Sequence, residues 1–456
     1  MSINQKNQML KPLKIEGMSI FVLVCLGQLV SLLGSSITNF ALDVWVYQQS
    51  GSVTELSFLI LFTTLPRVII SPFAGVLVDR WNRRWVMIFS DSGAALTTLT
   101  IATLLFTGKI QIWHIYLASV VISSFSAFQW PAYRAATTLL VPKKHLGRAS
   151  GMTELAEALG QLLAPILGGV LLGAIQLSGI FVLDLSSFLF ALTTLLLVRF
   201  PHHKVTQSQL TNKTSLLKEL LYSFHYLRSR SGLLALLLFF ASSNFLMGIL
   251  QVLSYPLILS FASPAQLGTI FSFGGVGMVT GSLIMSTWGG GRQKYINILF
   301  GFMLLEGLSM MAAGLYHSVF LFAIAAFLFF LGLPFIKGSS QVIFQRKVAI
   351  DVQGRVFSLR STIAFSSLPL AYLVAGPLAD HIFEPLMKVN APLAGTIGQL
   401  ISTGPGRGIG LMFIILGALT ILVTIIAYQY APLRLVEDKL PDAIIDTIDR
   451  DNISKR

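Results

Sequence analysis

Long apolar stretches alternate with short polar segments along almost the whole chain. A helix rises about 1.5 Å per residue, so roughly 20 apolar residues cross the hydrocarbon of a bilayer. By that measure the pattern predicts twelve spans, near residues 18–42, 55–78, 85–106, 113–139, 154–176, 180–199, 233–260, 267–288, 295–316, 318–341, 358–382 and 408–430. One polar interruption, 199–232, is much longer than the others and divides the spans into six and six. The expected organisation is an all-α membrane protein: an N-terminal six-helix bundle (1–199), a cytoplasmic linker (200–232), a C-terminal six-helix bundle (233–430) and a cytoplasmic tail (431–456). In the linker, Leu216, Leu217, Leu220, Leu221, Phe224 and Leu227 recur at helical spacing with Lys218, Glu219 and Arg228 between them. That spacing predicts an amphipathic helix, lying on the inner membrane face or packed on its neighbours. The tail is charged, and no function is expected of it.

Composition sharpens the class. A soluble chain of 456 residues suggests about three domains. Here 54% of residues are hydrophobic and 11% charged, against roughly 25% charged in soluble domains. The net charge of +13 would suit nucleic acid, but the basic residues sit between apolar runs, where they set topology. Of the 32 Lys and Arg residues, 26 fall on the side that holds both termini, three (Lys109, Lys388, Arg407) on the other, and three within spans. The expected protein is therefore multi-pass in the plasma (inner) membrane with both termini cytoplasmic. The single cysteine, Cys25, lies inside the first span, so neither a disulfide framework nor a Cys-rich metal site is expected. The first apolar run is too long for a signal-peptide core and reads as an uncleaved span.

Motifs come next. The sharpest polar turn reads Gly75-Val-Leu-Val-Asp79-Arg80-Trp81-Asn82-Arg83-Arg84 and joins two apolar runs. Its arginines suit anchoring at lipid headgroups. Span five carries Gly160, Pro165, Gly168 and Gly169; proline bends a helix, and small residues admit a close neighbour. Gly277 and Gly281 repeat the small-residue pattern in span eight. The halves also echo each other. Pro131-Ala-Tyr-Arg134 corresponds to Pro334-Phe-Ile-Lys337, each followed by a Gly-Arg pair, Gly147-Arg148 and Gly354-Arg355, and then by a span with an internal proline, Pro165 and Pro369. Such repeats favour two pseudo-symmetric bundles with a substrate site between them.

The polar turn resembles the cytoplasmic loop signature of the major facilitator superfamily, with Asn82 in place of its second glycine. Asn is the next most tolerant residue at positive φ, so such a turn is expected there. The span-five pattern resembles the superfamily's antiporter signature, with Ala164 for the glycine before Pro165. Phe73-Ala-Gly75 leading to Asp79-Arg80-Trp81, Asp184-Leu-Ser-Ser-Phe188 and Gly354-Arg355-Val-Phe357 extend the resemblance over the chain. It is greatest to the exporters that include macrolide efflux pumps and siderophore exporters. The resemblance implies the major facilitator fold and drug:proton antiport. It also implies that Asp79, with Gly75, Arg80, Arg83 and Arg84, latches the loop to a helix of the other half in one state of the cycle. The proline of span five is expected to kink a gating helix.

Ionisable residues inside spans are costly in lipid, which makes them functional candidates. The acids read this way are Asp43, Glu154, Glu157, Asp184 and Glu306. Asp43 lies about 25 residues into span one, roughly 38 Å along a helix, and is expected at the outer interface. Glu154 and Glu157 fall at the depth of Arg134, where a salt bridge and a gate are both open readings. Arg67, mid-way along span two, suits an acidic partner or an anionic substrate, and Lys337 a gate or charge pair. Asp184 and Glu306, one in each half, have the depth expected of a proton carrier; a fixed hydrogen-bond or ion-pair role is the alternative for each, and Asp43 is a third candidate. A carboxyl in an apolar cavity holds its proton more tightly than one facing water or an arginine. Trp45, Trp130, Phe239, Phe240, Phe245, Met247 and Met310 suit an apolar cavity and equally suit lipid or helix contacts. There is no phosphate-binding Gly-Lys-Ser/Thr loop and no His-Glu-x-x-His. No enzyme activity, cofactor or metal is expected.

The expected function is secondary active export of a small amphipathic compound, drug-, macrolide- or siderophore-like, by proton antiport and alternating access. Its expected partners are that substrate, protons and the lipid bilayer, with the protein a monomer. Two other readings stay open: a lipid or metabolite flippase without tight proton coupling, and a non-transporting membrane sensor.

Overall fold

Backbone hydrogen bonding converts the apolar runs into helices in the computed structural model, which describes residues 18–141, 146–198, 224–288 and 294–441. Eleven helices among the described residues are long and apolar enough to cross a membrane. They are α1 (Met18–Ser50), α2 (Val53–Arg80), α3 (Arg83–Phe106), α4 (Ile112–Leu140), α5 (Leu146–Leu197), α6 (Ser231–Leu259), α7 (Pro264–Trp288), α8 (Tyr295–Leu315), α9 (Val319–Lys347), α10 (Ile350–Leu378) and α11 (Arg407–Gln429). No strand occurs among the described residues. The count of eleven against twelve has a simple cause. α5 holds 52 residues, on the order of 78 Å of helix, more than twice the hydrocarbon thickness. Its backbone leaves helical geometry at Gln176 (φ 56°, ψ −178°), where two helices meet at a kink. Its two arms are the fifth and sixth spans.

Several helices run further than hydropathy predicts, because backbone hydrogen bonds do not require apolar side chains. α1 continues past 42 to Ser50 and stops where Gly51 turns to φ 65°. Asp43 therefore sits within α1, half-buried, seven residues before the helix ends. α10 begins at Ile350, eight residues before the span expected at 358–382, so Arg360 lies ten residues inside the helix. Arg360 is half-buried, donates to Gln341 Oε1 at 3.1 Å, and lies 4.6 Å from the Phe344 ring.

The helices group into two compact units, residues 1–42 with 62–206, and residues 43–61 with 207–456. In the first, α3 packs on α4 and α5, around a core that includes Val24, Val78, Met87, Ala132, Tyr133 and Leu195. The turn between α2 and α3 departs from expectation. Asn82 has φ −69° and ψ 111°, extended rather than positive, and its side chain accepts from the Arg84 N–H as the N-cap of α3. Asparagine stands there because it caps a helix. Arg84 in turn donates to the Leu195 and Leu196 carbonyls at 3.0 and 2.9 Å, satisfying the free end of α5.

In the second unit α7 packs on α9, α9 on α8, α8 on α11, and both α11 and α10 on α6. A Cβ on Gly277 or Gly281 would strike the Phe327 or Leu331 carbonyl of α9, so these glycines set how closely α7 and α9 approach. Gly160 differs: a Cβ there would meet Leu32 at 3.6 Å, an ordinary contact. Gly160→Ala is therefore expected to leave the folded yield and melting temperature of purified protein unchanged. Gly277→Val, which forces two backbones apart, is expected to lower both sharply, by an overpacking cost of about 1–3 kcal/mol or more.

The start of the tail is a structural part. Leu433 and Val436 are fully buried against Leu227, Leu233 and Leu236. Glu437 accepts from the Ile296 N–H at 2.9 Å, Asp438 pairs with Lys294 at 2.6 Å, and the buried Lys347 donates to the Glu437 and Leu440 carbonyls. Of the residues that carry the amphipathic pattern, Phe224, Leu227 and Arg228 belong to the described residues, in a helical stretch over 224–228; Leu216, Leu217, Leu220, Leu221, Lys218 and Glu219 lie outside them.

Candidate functional site

Apolar helices leave few places for charge, so the carboxyls inside them mark the chemistry. Glu306 of α8 is 6% exposed, and its Oε1 has no hydrogen-bond partner. Gly332 of α9 lies against it, with room for a Cβ at 3.6 Å from Glu306 Cγ. Lys337, a turn and a half further along α9, is exposed but within electrostatic reach of Glu306. Asp184 in the second arm of α5 is 7% exposed and accepts from Ser35 Oγ of α1 at 3.1 Å. Gly34 makes that approach possible, since a Cβ there would strike Ser187. Asp184 thus has the fixed polar partner that Glu306 Oε1 lacks.

Asp43 belongs to a different arrangement, at the end of the second unit where α1 stops and α2 starts. The Tyr255 hydroxyl of α6 donates to Asp43. One turn on, Tyr47 lies near both Asp380 and Glu384. Asp380 stands in a π-helical turn, Ala379–Phe383, that continues α10. Its carboxylate accepts from Ser52 Oγ at 2.8 Å, from the Val53 N–H at 3.1 Å and from the Thr54 N–H at 2.8 Å. A helix N-terminus offers free N–H groups and partial positive charge, and Asp380 occupies that of α2. Ser57 donates to the Tyr372 carbonyl, and a Cβ on Gly376 would strike the Thr54 backbone. Residues 43–61 are therefore clasped to α6 and α10 by polar contacts and close packing.

Neither Asp380 nor Asp91 is among the acids expected from the sequence. Each lies in an apolar run by the criterion that picked out the other five, so the signal was present. Asp91 of α3 accepts from Gln28 Nε2 of α1 at 3.2 Å, and Gln129 Nε2 of α4 donates to Gln28 Oε1 at 3.0 Å.

The motif residues divide. Gly75, Asp79 and Arg80 lie at the end of α2, and their side chains are outside the described residues. Arg83 Nε is buried without a partner, and Arg84 holds the end of α5 as above. Around Pro165 the backbone keeps helical dihedrals, the break in α5 being at Gln176. Gly168 and Gly169 are buried, and a Cβ on Gly168 would meet the Phe40 ring of α1 at 2.6 Å. Arg67 is exposed on α2. Arg134 is exposed with its guanidinium 5.9 Å from the Trp130 ring, and Glu157 is half-buried, within electrostatic reach of Tyr133. Glu154 has its side chain outside the described residues.

The segment between α10 and α11 folds onto the start of α11. Glu384 accepts from the Gly406 and Ile409 N–H groups at 3.3 and 2.9 Å. Gly406 has φ 78°, and a Cβ there would strike Ser260. His317, between α8 and α9, stacks on Phe261 at 4.8 Å. Burial and then the nearby Arg407 push its imidazole down to about 4. A base so depressed contributes stability that is complete above its unfolded value of about 6.5 and is lost as pH falls through the folded value. Acidifying from pH 7 to pH 4 is therefore expected to lower the melting temperature of the wild type more than that of His317→Gln, read by thermal unfolding of purified protein.

The Major Facilitator Superfamily description matches residues 24–372. Macrolide efflux protein A of Streptococcus pyogenes is 28% identical over 368 residues, covering 79% of this chain and 90% of that protein. Enterobactin exporter EntS of Salmonella paratyphi A is 25% identical over 154 residues, 34% of this chain and 37% of that one. A bacterial homologue of the human lysosomal transporter Spinster, solved in an inward-facing, unoccupied conformation, superposes with a TM-score of 0.66 at 16% identity over 92% of this chain and 98% of its own. The family match spans most of the chain and the superposition covers the same helices, so the chain belongs to the Major Facilitator Superfamily of membrane transporters.

Proposed function

We propose that this protein exports a small amphipathic compound, macrolide- or siderophore-like, in exchange for protons, by alternating access in the plasma (inner) membrane. The resemblance to macrolide efflux protein A over 79% of the chain supports the direction and the cargo class. The observation that carries the coupling is Glu306: a carboxyl inside an apolar helix, 6% exposed, with one oxygen unpartnered and a lysine in electrostatic reach. Such a group accepts a proton when its surroundings are dry and surrenders it when water or a cation reaches it. Asp184, already bonded to Ser35, serves position more than proton transfer.

With both termini cytoplasmic, the clasp of residues 43–61 on α6 and α10 faces outside. It is the contact that parts when the outer side opens, one of the discrete rearrangements open to a helical transporter. Accumulation of a panel of amphipathic compounds, macrolides and siderophores among them, tests the proposal in efflux-deficient bacteria. Expression is expected to lower accumulation of at least one compound, and a protonophore to abolish the effect. Asp184→Asn is expected to retain most of the efflux. Efflux that survives the protonophore would instead favour a flippase without proton coupling; no efflux of any compound would overturn the exporter reading.

A further inference from the structure

The Asp91 cluster is absorbed by neither the clasp nor Glu306. On α3 the exposed residues Trp85, Phe89, Leu96, Leu99 and Phe106 recur at helical spacing and form one apolar stripe. Asp91 lies off that stripe, sharing a face with the buried Met87 and Thr98, which stand four residues before it and seven after. It is half-buried and meets two amides: Gln28 Nε2 donates to Asp91 Oδ2 at 3.2 Å, Gln129 Nε2 donates to Gln28 Oε1 at 3.0 Å, and the Gln129 amide also reaches the Asp91 carboxylate. Turning either amide over would set like atoms against each other, so the relay runs one way, toward the acid. Its far end is Gln129 Oε1, which is buried and accepts from nothing. No lysine or arginine is ion-paired with Asp91 among the described residues. The cluster thus joins three helices of the first unit around a carboxylate and a spare carbonyl oxygen, with no cation of its own.

A group that carries positive charge and N–H donors fits that arrangement: it neutralises the acid and fills the orphan acceptor. We propose that Asp91, with Gln28 and Gln129, binds the protonated amine of a lipophilic cargo, an inference that rests on the exporter reading above. The apolar remainder of the cargo then lies along the helices, and selection for cationic over neutral amphiphiles arises at this cluster. Gln28 orients the carboxylate, while Gln129 accepts a second N–H.

Two fluorescent probes test it on the purified full-length protein in nanodiscs: a dansyl-labelled dodecylammonium and the dansyl-labelled dodecanol of the same length. The wild type is expected to bind the ammonium about 10-fold or more tightly than the alcohol, the order of a charge-assisted hydrogen bond. Asp91→Asn is expected to bring the two affinities together by weakening the ammonium, and retained binding of the alcohol reports that the variant is folded. Gln129→Leu is expected to weaken ammonium binding several-fold and stands as the second test if Asp91→Asn does not fold. Equal binding of the two probes by the wild type, a preference that survives Asp91→Asn, or no binding of either probe overturns the proposal. In cells, export of either probe without an ammonium preference would overturn this site alone. No export of any panel compound would overturn the exporter reading as well.

Discussion

Replacing Asp380 with alanine is expected to unlock the clasp at the start of α2. Three donors, Ser52 Oγ and the Val53 and Thr54 N–H groups, lose their acceptor at once. Bonds to a charged acceptor contribute roughly 1.5–3 kcal/mol each when made, but these are part-exposed, and water recovers part of the loss. A net change of about 2 kcal/mol shifts an equilibrium between clasped and parted states about 30-fold. Asp380→Asn, which keeps one acceptor oxygen, is expected to shift it less. The measurement is labelling of Ala375→Cys, a fully buried α10 position beside the Gly376 contact with Thr54. In a background where the buried Cys25 is alanine, this is the sole thiol. A membrane-impermeant maleimide added outside is expected to label it slowly in otherwise wild-type protein and at least several-fold faster with Asp380→Ala. Equal rates would mean that the carboxylate serves only as a local helix cap.

The second large effect is expected at Glu306. Glu306→Gln preserves shape and polarity but removes the exchangeable proton, so uphill export is expected to fall by at least about 10-fold, equivalent to about 1.4 kcal/mol or more of lost driving coupling. Cargo binding is expected to persist, because the side chain's neighbours, Gly332 among them, are undisturbed by a change that adds no heavy atom. Lys337→Met gives an independent check. It removes the cation in electrostatic reach of Glu306 and is expected to slow export without abolishing it. Export assays in energised membrane vesicles, beside equilibrium binding of the same compound, separate the two quantities. Loss of binding in Glu306→Gln would make the residue part of the cargo site instead.

Much of this architecture is legible in hydropathy, because a helix that crosses lipid must be apolar over a fixed length. The ends of the helices are not legible that way. α1 runs on to Ser50 through Asp43, which accepts from Tyr255, and Tyr47, which lies near Asp380 and Glu384. α10 likewise starts eight residues before its apolar span, and Arg360, which stacks on Phe344 and bonds to Gln341, is stable inside it. Asn82 was legible as a turn residue but not in its role, since capping and positive φ draw on the same residue type. Asp91 and Asp380 are visible as acids in apolar runs, but their partners Gln28, Gln129 and Ser52 come from distant helices that one chain's periodicity does not bring together. For the same reason the tail gave no sign that Val436 is fully buried and Glu437 caps α8. Glu306 and Asp184 were both found by depth, and only packing separates the acid held by Ser35 from the one whose oxygen is unpartnered.

Proton movement itself is the most direct test of the coupling. Proteoliposomes containing the purified protein and an internal pH-sensitive dye would be exposed to a gradient of whichever compound the accumulation assay identifies as cargo. Proton-coupled exchange requires that cargo flowing one way drive protons the other, and that Glu306→Gln let the cargo bind while the dye stays silent. Cargo flux with no pH change in the wild type, or an unaltered pH change in Glu306→Gln, would contradict the assignment of Glu306 as the proton carrier.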